Sequence, residues 1–469
     1  MKRSILVLCC ATLAASLPVT GRAQSQASPA DRTLARDIFR ELIEINTTDS
    51  LGNTPRAARA MARRLVAAGF PAADVEVLIG PDPKHGNLVA RYRGTGTGGK
   101  PIIVFAHMDV VPARRSDWSV DPFTFLEKDG YFYGRGTTDD KVGDAVLVAD
   151  FIRLKRAGFK PSRDLILVLT GDEETLGSCI QWLVTKHRDL IDGAFALNTD
   201  AGGGVLRDGQ RVMFAVQASE KVYATYVLEA TDKGGHSSLP RPADNPVYRL
   251  APLLERLAQY QFPVKLNEVS RAFFERSAAI DTGRLAEDMR GVLKDPPDSG
   301  AVARLSAVPF YNSKLRTTCV ATMLEAGHAE NALPQSARAT VNCRILPGEP
   351  ASEVEATLRR LASDDRITLR TLYAPITSPP SPLTPEIMGP LERLVAEQFP
   401  KVPIVPIMEA GATDGLFLRI VGIPTYGVSA VFEEQNDVRA HGRDERIGVQ
   451  SFYDALEFWY RMMQAYAGS

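Results

Sequence analysis

The sequence lacks the marks of several protein classes. Lysine and arginine number 55 against 56 aspartates and glutamates, so no basic excess predicts binding to nucleic acid or to a membrane surface. Only five cysteines occur, none of them in a Cys-X-X-Cys pair, which disfavours a thiolate zinc site. The absence of a Gly-X-Ser-X-Gly motif weakens a serine-hydrolase interpretation. The 469 residues are 45% hydrophobic and 24% charged, which excludes intrinsic disorder and suffices for two or three domains.

Only one long hydrophobic run occurs, and it lies at the N-terminus. Met1-Lys2-Arg3 is basic, Ile5 to Val19 is apolar, and Gly21-Arg22-Ala23 offers the small residues of a cleavage site. The apolar run is shorter than the roughly 20 residues that a membrane-spanning helix needs, so a membrane anchor is the less favoured alternative. Residues 1–23 therefore predict a signal peptide, and we expect a secreted or periplasmic protein that is free of the membrane once the signal is removed.

Three cysteines remain after removal of the predicted signal peptide: Cys179, Cys319 and Cys343. Cys319 and Cys343 lie in two β-like runs, so a cross-strand disulfide is compatible with an oxidising compartment. Two buried free thiols fit the same pattern, and the sequence leaves both alternatives open.

Apolar strands and helices alternate along much of the chain. The continuous apolar runs Pro101–Ala106 and Asp164–Thr170 flank a long helical pattern at Asp139–Ala157. A short apolar run at Gly193–Leu197 follows. Strands of this kind are buried on both faces, so the pattern predicts a doubly wound α/β domain.

The pattern changes near Ala218. A strand at Val222–Ala230 precedes a helix at Asn245–Tyr260, and two further strands accompany a helix at Ser352–Leu361. Between these units, Val264–Lys314 is charged and irregular, which predicts a helical excursion. Two β-α-β units predict a compact α+β, ferredoxin-like domain. The predicted division is a catalytic domain of residues 30–217 and 376–469, interrupted by an inserted domain of residues 218–375.

Carboxylates and histidines gather where the predicted strands end. His107 and Asp109 follow one strand, Glu173 and Glu174 follow the next, and Asp200 follows the third. Residues i and i+2 of an extended chain point to the same side, so Asp109 can orient a metal-ligating His107. Open α/β sheets bind ligands at this edge, which makes these residues candidates for one site.

Three further residues lie in polar, glycine-containing segments. Asp139 begins the long predicted helix, a position that is also typical of a helix N-cap. His236 lies in Gly-Gly-His-Ser-Ser and His441 in Ala-His-Gly-Arg-Asp-Glu. Such flanks are typical of functional loops rather than of packed cores.

Taken in order, AHMDVVP, GRGTTDDK, GDEE, NTD, GGHSS and HGRDE resemble the family of di-zinc aminoacylases and carboxypeptidases. That family includes glutamate carboxypeptidase, succinyl-diaminopimelate desuccinylase, aminoacylase and carnosinase. The stretch from His107 to Lys141 is most similar to the carboxypeptidase S-like branch. The resemblance implies a zinc-binding α/β catalytic domain with an inserted dimerisation lid, and therefore a homodimer.

The resemblance also implies two zinc ions per subunit, for which Co²⁺ or Mn²⁺ can substitute. It makes Asp139 the bridging ligand, adds His107 and Asp200 at one ion, and adds Glu174 and His441 at the other. Histidine nitrogens and carboxylate oxygens are ordinary zinc ligands, and two ions leave room for a shared water that attacks an amide.

The remaining implied roles concern protons and substrate. By the resemblance, Glu173 is the general base and Asp109 orients His107. His236 would reach a partner subunit's active site and stabilise the oxyanion, Arg344 would grip the substrate's carboxylate, and Asn331 would make a nearby polar contact. The segment Gly411-Ala412-Thr413-Asp414 departs from the family's usual Gly-Gly-Thr.

The function expected from these residues is that of an exported zinc metallopeptidase, similar to carboxypeptidases and dipeptidases. Its substrates would be short peptides or N-acyl amino acids. A strict N-acyl-amino-acid amidohydrolase is the alternative, because Arg344 would bind a free carboxylate in either case. A non-catalytic binding protein on the same scaffold is disfavoured, since Glu173 and all five presumed ligands are present.

Overall fold

Residues 27–468 are described by the structure, a computed structural model, and the predicted signal peptide lies outside them. Among these residues, no helix combines the length and the apolar character needed to cross a membrane. The helices are α1 (Pro29–Glu44), α2 (Thr54–Ala67), α3 (Lys141–Arg156), α4 (Ser178–Lys186), α5 (Pro246–Gln259), α6 (Glu268–Ile280), α7 (Gly283–Val292), α8 (Ser299–Ser306), α9 (Pro309–Leu315), α10 (Ala351–Ala362), α11 (Pro385–Gln398), α12 (Gly415–Ile420) and α13 (Val449–Ala467).

Within residues 27–468 the strands fall into two larger sheets and two small ones. They are β1 (Val75–Ile79), β2 (Gly86–Tyr92), β3 (Ile102–His107), β4 (Leu126–Lys128), β5 (Tyr131–Tyr133), β6 (Leu165–Thr170), β7 (Phe195–Asn198), β8 (Gly203–Arg207), β9 (Gln210–Glu220), β10 (Val222–Thr231), β11 (Gly235–His236), β12 (Thr318–Ala326), β13 (Ala332–Leu333), β14 (Ser336–Ile345), β15 (Ile367–Thr371), β16 (Ile404–Glu409), β17 (Thr425–Gly427), β18 (Phe432–Glu434) and β19 (Arg446–Gly448).

The largest sheet has the order β1-β2-β6-β3-β7-β17-β9-β8-β18, with β16 added alongside β9. Its centre is parallel: β3 lies between β6 and β7, and β17 continues the parallel arrangement beside β7. Strands β1 and β2 are antiparallel additions at one end, so the sheet is mixed. This sheet and its helices form the predicted α/β domain.

Strand β3 explains why this sheet is covered on both faces. Ile102, Val104 and Ala106 contribute to one hydrophobic core, which includes residues of α1, α3 and α13. Ile103 and Phe105 contribute to another core, which includes residues of α4 and α12. Successive side chains of a strand point to opposite faces, so a continuous apolar run needs a helical layer on each side.

The second large sheet is antiparallel and has the order β12-β14-β10-β15. Helices α5 and α10 pack on one of its faces and share a core with it, as the predicted α+β domain requires. Cys319 and Cys343 lie opposite each other on β12 and β14 and form a disulfide. The cross-strand pairing that the sequence left open is therefore present.

The predicted helical excursion is confirmed and consists of α6 to α9. Phe273 and Phe274 of α6 and Leu305 of α8 share a core with Val405 and Ile407 of β16. These helices therefore pack against the large sheet. The domain division at residues 217/218 and 375/376 stays a prediction.

Candidate metal centre

The carboxyl ends of three parallel strands bring the predicted ligands to one edge of the large sheet. His107 is the last residue of β3, Glu173 and Glu174 follow β6, and Asp200 follows β7. Strands β6, β3 and β7 are neighbours in the sheet, so segments that are distant in sequence meet there. Ligand binding beyond the carboxyl ends of parallel strands is the general rule for open α/β sheets.

Asp139 lies between the two predicted metal positions. Its Oδ1 is 3.0 Å from His107 Nε2, and its Oδ2 is 3.0 Å from His441 Nε2. Helix α3 begins at Lys141 and its N-cap residue is Asp140. The alternative interpretation of Asp139 as the N-cap is therefore wrong, and its carboxylate faces the two histidines.

The other two predicted ligands complete the arrangement. Asp200 Oδ1 lies 3.5 Å from His107 Nε2, and the nearest carboxylate oxygen of Glu174 lies 3.0 Å from His441 Nε2. The atoms of His107, Asp139 and Glu174 are close enough to share an ion, as are those of His107, Asp140 and Asp200. These nitrogen and oxygen donors fit a divalent metal such as zinc.

Asp109 connects His107 with the two glutamates. Its carboxylate accepts hydrogen bonds from the backbone N–H groups of Glu173 at 3.1 Å and Glu174 at 2.9 Å. One of its carboxylate oxygens is 3.6 Å from His107 Nδ1, whereas its backbone oxygen is nearer, at 3.0 Å. The backbone oxygen and one carboxylate oxygen of Asp109 thus face His107, and the carboxylate also fixes the loop that carries Glu173 and Glu174.

Burial and nearby carboxylates raise the pKa of several groups at the site. Burial, reinforced by the nearby Asp200 carboxylate, raises the pKa of Glu173 well above its usual range. Burial also raises the pKa of Asp200 to about 7. Hydrogen bonds to Asp139 and Glu174 raise the pKa of His441 to about 10. A bound divalent cation would offset this concentration of negative charge.

His236 ends β11, which pairs with β13, and Asn331 immediately precedes β13; both residues are exposed. The Ser237 N–H donates to the Asn331 carbonyl at 3.1 Å, and the Ser238 N–H donates to His236 Nδ1 at 3.1 Å. The side-chain hydrogen bonds of His236 within residues 27–468 are with Ser238, so none joins it to the metal centre of its own chain. Its predicted catalytic role stays a prediction.

Arg344 lies on β14 and reaches the large sheet. Its Nη1 donates to the carbonyl of Ala410, just beyond β16, at 3.0 Å. Its guanidinium lies 4.6 Å from the centre of the Tyr223 ring. Burial lowers the pKa of Arg344, although its side chain stays partly accessible. Arg344 thus connects β14 with Ala410, the residue before the Gly411–Asp414 segment that departs from the family's Gly-Gly-Thr.

Several residues that sequence reasoning missed support the ligands. The Thr199 hydroxyl donates to Asp140 Oδ2 at 2.5 Å, which ties the chain after Asp139 to the chain before Asp200. Glu445 and Arg135 form a buried ion pair with an N···O distance of 2.5 Å. Glu445 is the last residue of the HGRDE motif, and this position was the one available signal for it.

Comparison with known proteins decides the family. Residues 103–465, more than half of the chain, match peptidase family M20/M25/M40. The chain belongs to this family. The human N-fatty-acyl-amino acid synthase/hydrolase PM20D1 is 30% identical over 388 residues, covering 79% of this chain and 75% of that protein. Probable carboxypeptidase S-like 2 of Dictyostelium discoideum is 28% identical over 390 residues, covering 81% of this chain and 74% of that protein.

The fold of the M20 family is also present in solved structures. The M20 metallo-carboxypeptidase Sso-CP2 from Sulfolobus solfataricus aligns with a TM-score of 0.69 at 17% identity, covering 92% of this chain and 99% of that one. The family and the fold that the sequence motifs implied are therefore confirmed. The chain is an M20 hydrolase of a metal-dependent family, and it carries candidate ligands for a metal.

Proposed function

We propose that this M20 protein hydrolyses the amide bond of short peptides or N-acyl amino acids that carry a free carboxylate. The observation that carries the proposal is the convergence of His107, Asp139 and Glu174 around one point. Asp140 and Asp200 form a second close group with His107, and Glu173 is the neighbour of Glu174 in the chain. Together these residues supply metal ligands and a free carboxylate for proton transfer.

We assign two zinc ions to the centre, with Co²⁺ or Mn²⁺ as substitutes. His107, Asp139 and Asp200 would hold one ion, and Asp139, Glu174 and His441 the other. When bound, the ions polarise the substrate carbonyl and make water a stronger nucleophile at neutral pH. Glu173 accepts the proton of the attacking water and delivers it to the leaving amine.

Arg344 is suited to recognition of the substrate's carboxylate. Its guanidinium is held by Ala410 and Tyr223 at the boundary between the two large sheets, and part of it remains accessible. A planar guanidinium can bind a carboxylate through two parallel hydrogen bonds. We assign Arg344 to the carboxylate and the exposed Asn331 to a further polar contact, as the family resemblance implies.

A strict N-acyl-amino-acid amidohydrolase is the second candidate. Leu176 lies two residues after Glu174 in the chain and is 77% exposed, so a large apolar side chain accessible to solvent follows a candidate ligand closely in sequence. The human relative is named for N-fatty-acyl-amino acids. Both observations favour an apolar acyl group over a charged or polar N-terminal residue.

The test is hydrolysis by the zinc-loaded protein of dipeptides, N-acyl amino acids and the C-terminal amides of both. We expect Arg344→Lys to lower kcat/KM for free acids by about 10–100-fold, because lysine cannot reproduce the two-pronged contact with a carboxylate. The C-terminal amides serve as the matched control and should lose little. Equal losses on acids and amides would identify a structural arginine, and no hydrolysis at all would favour a binding protein.

We further propose that the protein is exported. The basic and apolar start of the chain supports a signal peptide, and the Cys319–Cys343 disulfide suits an oxidising compartment. Exported protein should begin near Gln24 when its N-terminus is sequenced. Material that begins at Met1 would contradict the cleavage.

Assembly as a homodimer is proposed through the inserted domain. Strand β12 lies at the edge of its sheet, and its Val320, Met323 and Leu324 side chains are exposed. An exposed apolar edge strand is a template for pairing with another strand, and a second copy of β12 would cover it. The exposed position of His236 also suits a residue that acts in a partner's site.

A further inference from the structure

The Glu445 carboxylate organises the loop that leads to Asp139. Glu445 is completely buried, and its Oε1 accepts from the backbone N–H of Thr138 at 2.8 Å and from the Thr138 hydroxyl at 3.0 Å. The Asp139 N–H donates to the same oxygen at 3.3 Å, and the Gly136 N–H donates to Oε2 at 3.1 Å. One side chain therefore accepts hydrogen bonds from the backbone N–H groups of Gly136, Thr138 and Asp139, the residue that would bridge the two ions of the proposed function.

Arg135 extends this contact to the loop that carries His441. Its Nη1 donates to Glu445 Oε2 at 2.5 Å, and its Nη2 donates to the carbonyl of Gly442 at 2.9 Å. The Arg135 guanidinium also lies over the Trp118 ring, 5.1 Å from its centre. Arg135 thus holds the residue next to His441 with one nitrogen and Glu445 with another.

His441 has few other supports. Its side chain is 55% exposed, and it lies in a loop whose next two residues are exposed as well. Its φ of 62° falls in the left-handed region, which costs energy for a residue other than glycine. A ligand in such a loop keeps its position only if neighbouring contacts hold the loop in place.

We propose that Arg135 and Glu445 are positioning residues that fix His441 relative to Asp139, so that the metal position shared by Asp139, Glu174 and His441 can form. The pair acts through the two loops and touches neither substrate nor metal. His107 and Asp200 lie on β3 and after β7, so the other metal position does not depend on the pair to the same degree.

The experiment measures metal binding, because the inference rests on the two-ion centre of the proposed function. The full mature chain is freed of metal and titrated with Zn²⁺, and with Co²⁺ for its absorption spectrum. Wild-type protein should bind two ions. Glu445→Gln should weaken one ion about 10–100-fold, the usual effect of removing a residue that orients a metal ligand. The other ion should lose less affinity, because its ligands His107 and Asp200 lie outside the loops that Glu445 and Arg135 hold, and only Asp139 is common to both ions.

A double-variant cycle separates positioning from general destabilisation. His441→Ala should weaken the same ion, and adding Glu445→Gln to His441→Ala should cause little further loss. Arg135→Lys should show an intermediate loss, because lysine cannot hold Glu445 and Gly442 together. If Glu445→Gln does not fold, Arg135→Lys takes its place in the cycle. Asp150→Asn removes a buried ion pair with Arg153 in α3 and is the matched control, expected to keep both affinities.

Equal weakening of both ions by Glu445→Gln would overturn the inference, and so would full additivity of Glu445→Gln with His441→Ala. A wild-type chain that binds fewer than two ions would also overturn it. Selective loss of one ion in a protein without hydrolytic activity would keep the inference and refute the proposed function. Hydrolytic activity in the wild-type protein, together with unchanged metal affinities in the variants, would refute the inference and keep the proposed function.

Discussion

Glu173→Gln is expected to lower kcat by about 10²–10⁴-fold, the usual contribution of a general base, while leaving two ions bound per chain. Glutamine keeps the shape and the hydrogen-bonding capacity of glutamate but cannot accept the proton. Glu174→Gln is expected to lose metal instead, because the Glu174 carboxylate lies 3.0 Å from His441 Nε2 at the candidate centre.

The two glutamates differ in their surroundings although Asp109 holds both of their backbone N–H groups. Glu174 contacts His441, whereas burial and the Asp200 carboxylate raise the pKa of Glu173 and so favour uptake of a proton. Metal analysis beside single-turnover kinetics on both variants tests this division. An active Glu173→Gln, or one that alone strips the metal, would reverse the two assignments.

The elements that the sequence predicts well are those with an unambiguous hydrophobic period. The apolar run at Pro101–Ala106 becomes β3, and the helical pattern at Asp139–Ala157 becomes α3. Because β3 is buried on both faces, its composition identifies it without any knowledge of its neighbours. The end of such a strand can then be predicted to within a residue or two. The candidate ligands that lie at or just after that end can be predicted as well.

Strand β16 escaped prediction for a physical reason. Pro406 interrupts its apolar run, and a proline argues against a central strand because it cannot donate to the ladder. In the structure β16 pairs with β9 alone, so the missing N–H of Pro406 can face away from its partner strand. Only the tertiary arrangement distinguishes such an edge position from a loop.

The residues of the candidate site likewise fall into those that local sequence predicts and those that only the folded chain identifies. His107, Glu174 and Asp200 follow predicted strands, so local pattern and motif together identify them. Glu445 and Arg135 are 310 positions apart, and their role depends on two loops meeting in the folded chain. No local sequence pattern predicts a contact between loops that are so distant in the chain. The residues that support the ligands are therefore identified only by the structure.

His236→Ala is expected to lower kcat by about 10²–10³-fold, the usual effect of removing one oxyanion donor. Within one chain His236 is exposed and hydrogen bonds to Ser238, so a role in catalysis requires another copy to bring it to the centre. In a homodimer made of two different variant subunits, each subunit can then supply the group that the other lacks at one of the two sites. A His236→Ala subunit keeps its metal ligands, and a Glu174→Gln subunit keeps its His236.

Mixing these two inactive proteins tests the arrangement directly. Random exchange makes half of the dimers mixed, and each mixed dimer has one complete site, so about a quarter of the wild-type activity should return. The control is the same exchange with a single variant, which should stay inactive because every dimer repeats the same defect. Full activity in a strictly monomeric preparation, or no recovery in mixed dimers verified by mass, would refute action across the interface. Recovery can arise only if His236 completes the site of the partner, since neither subunit alone has both the histidine and the metal.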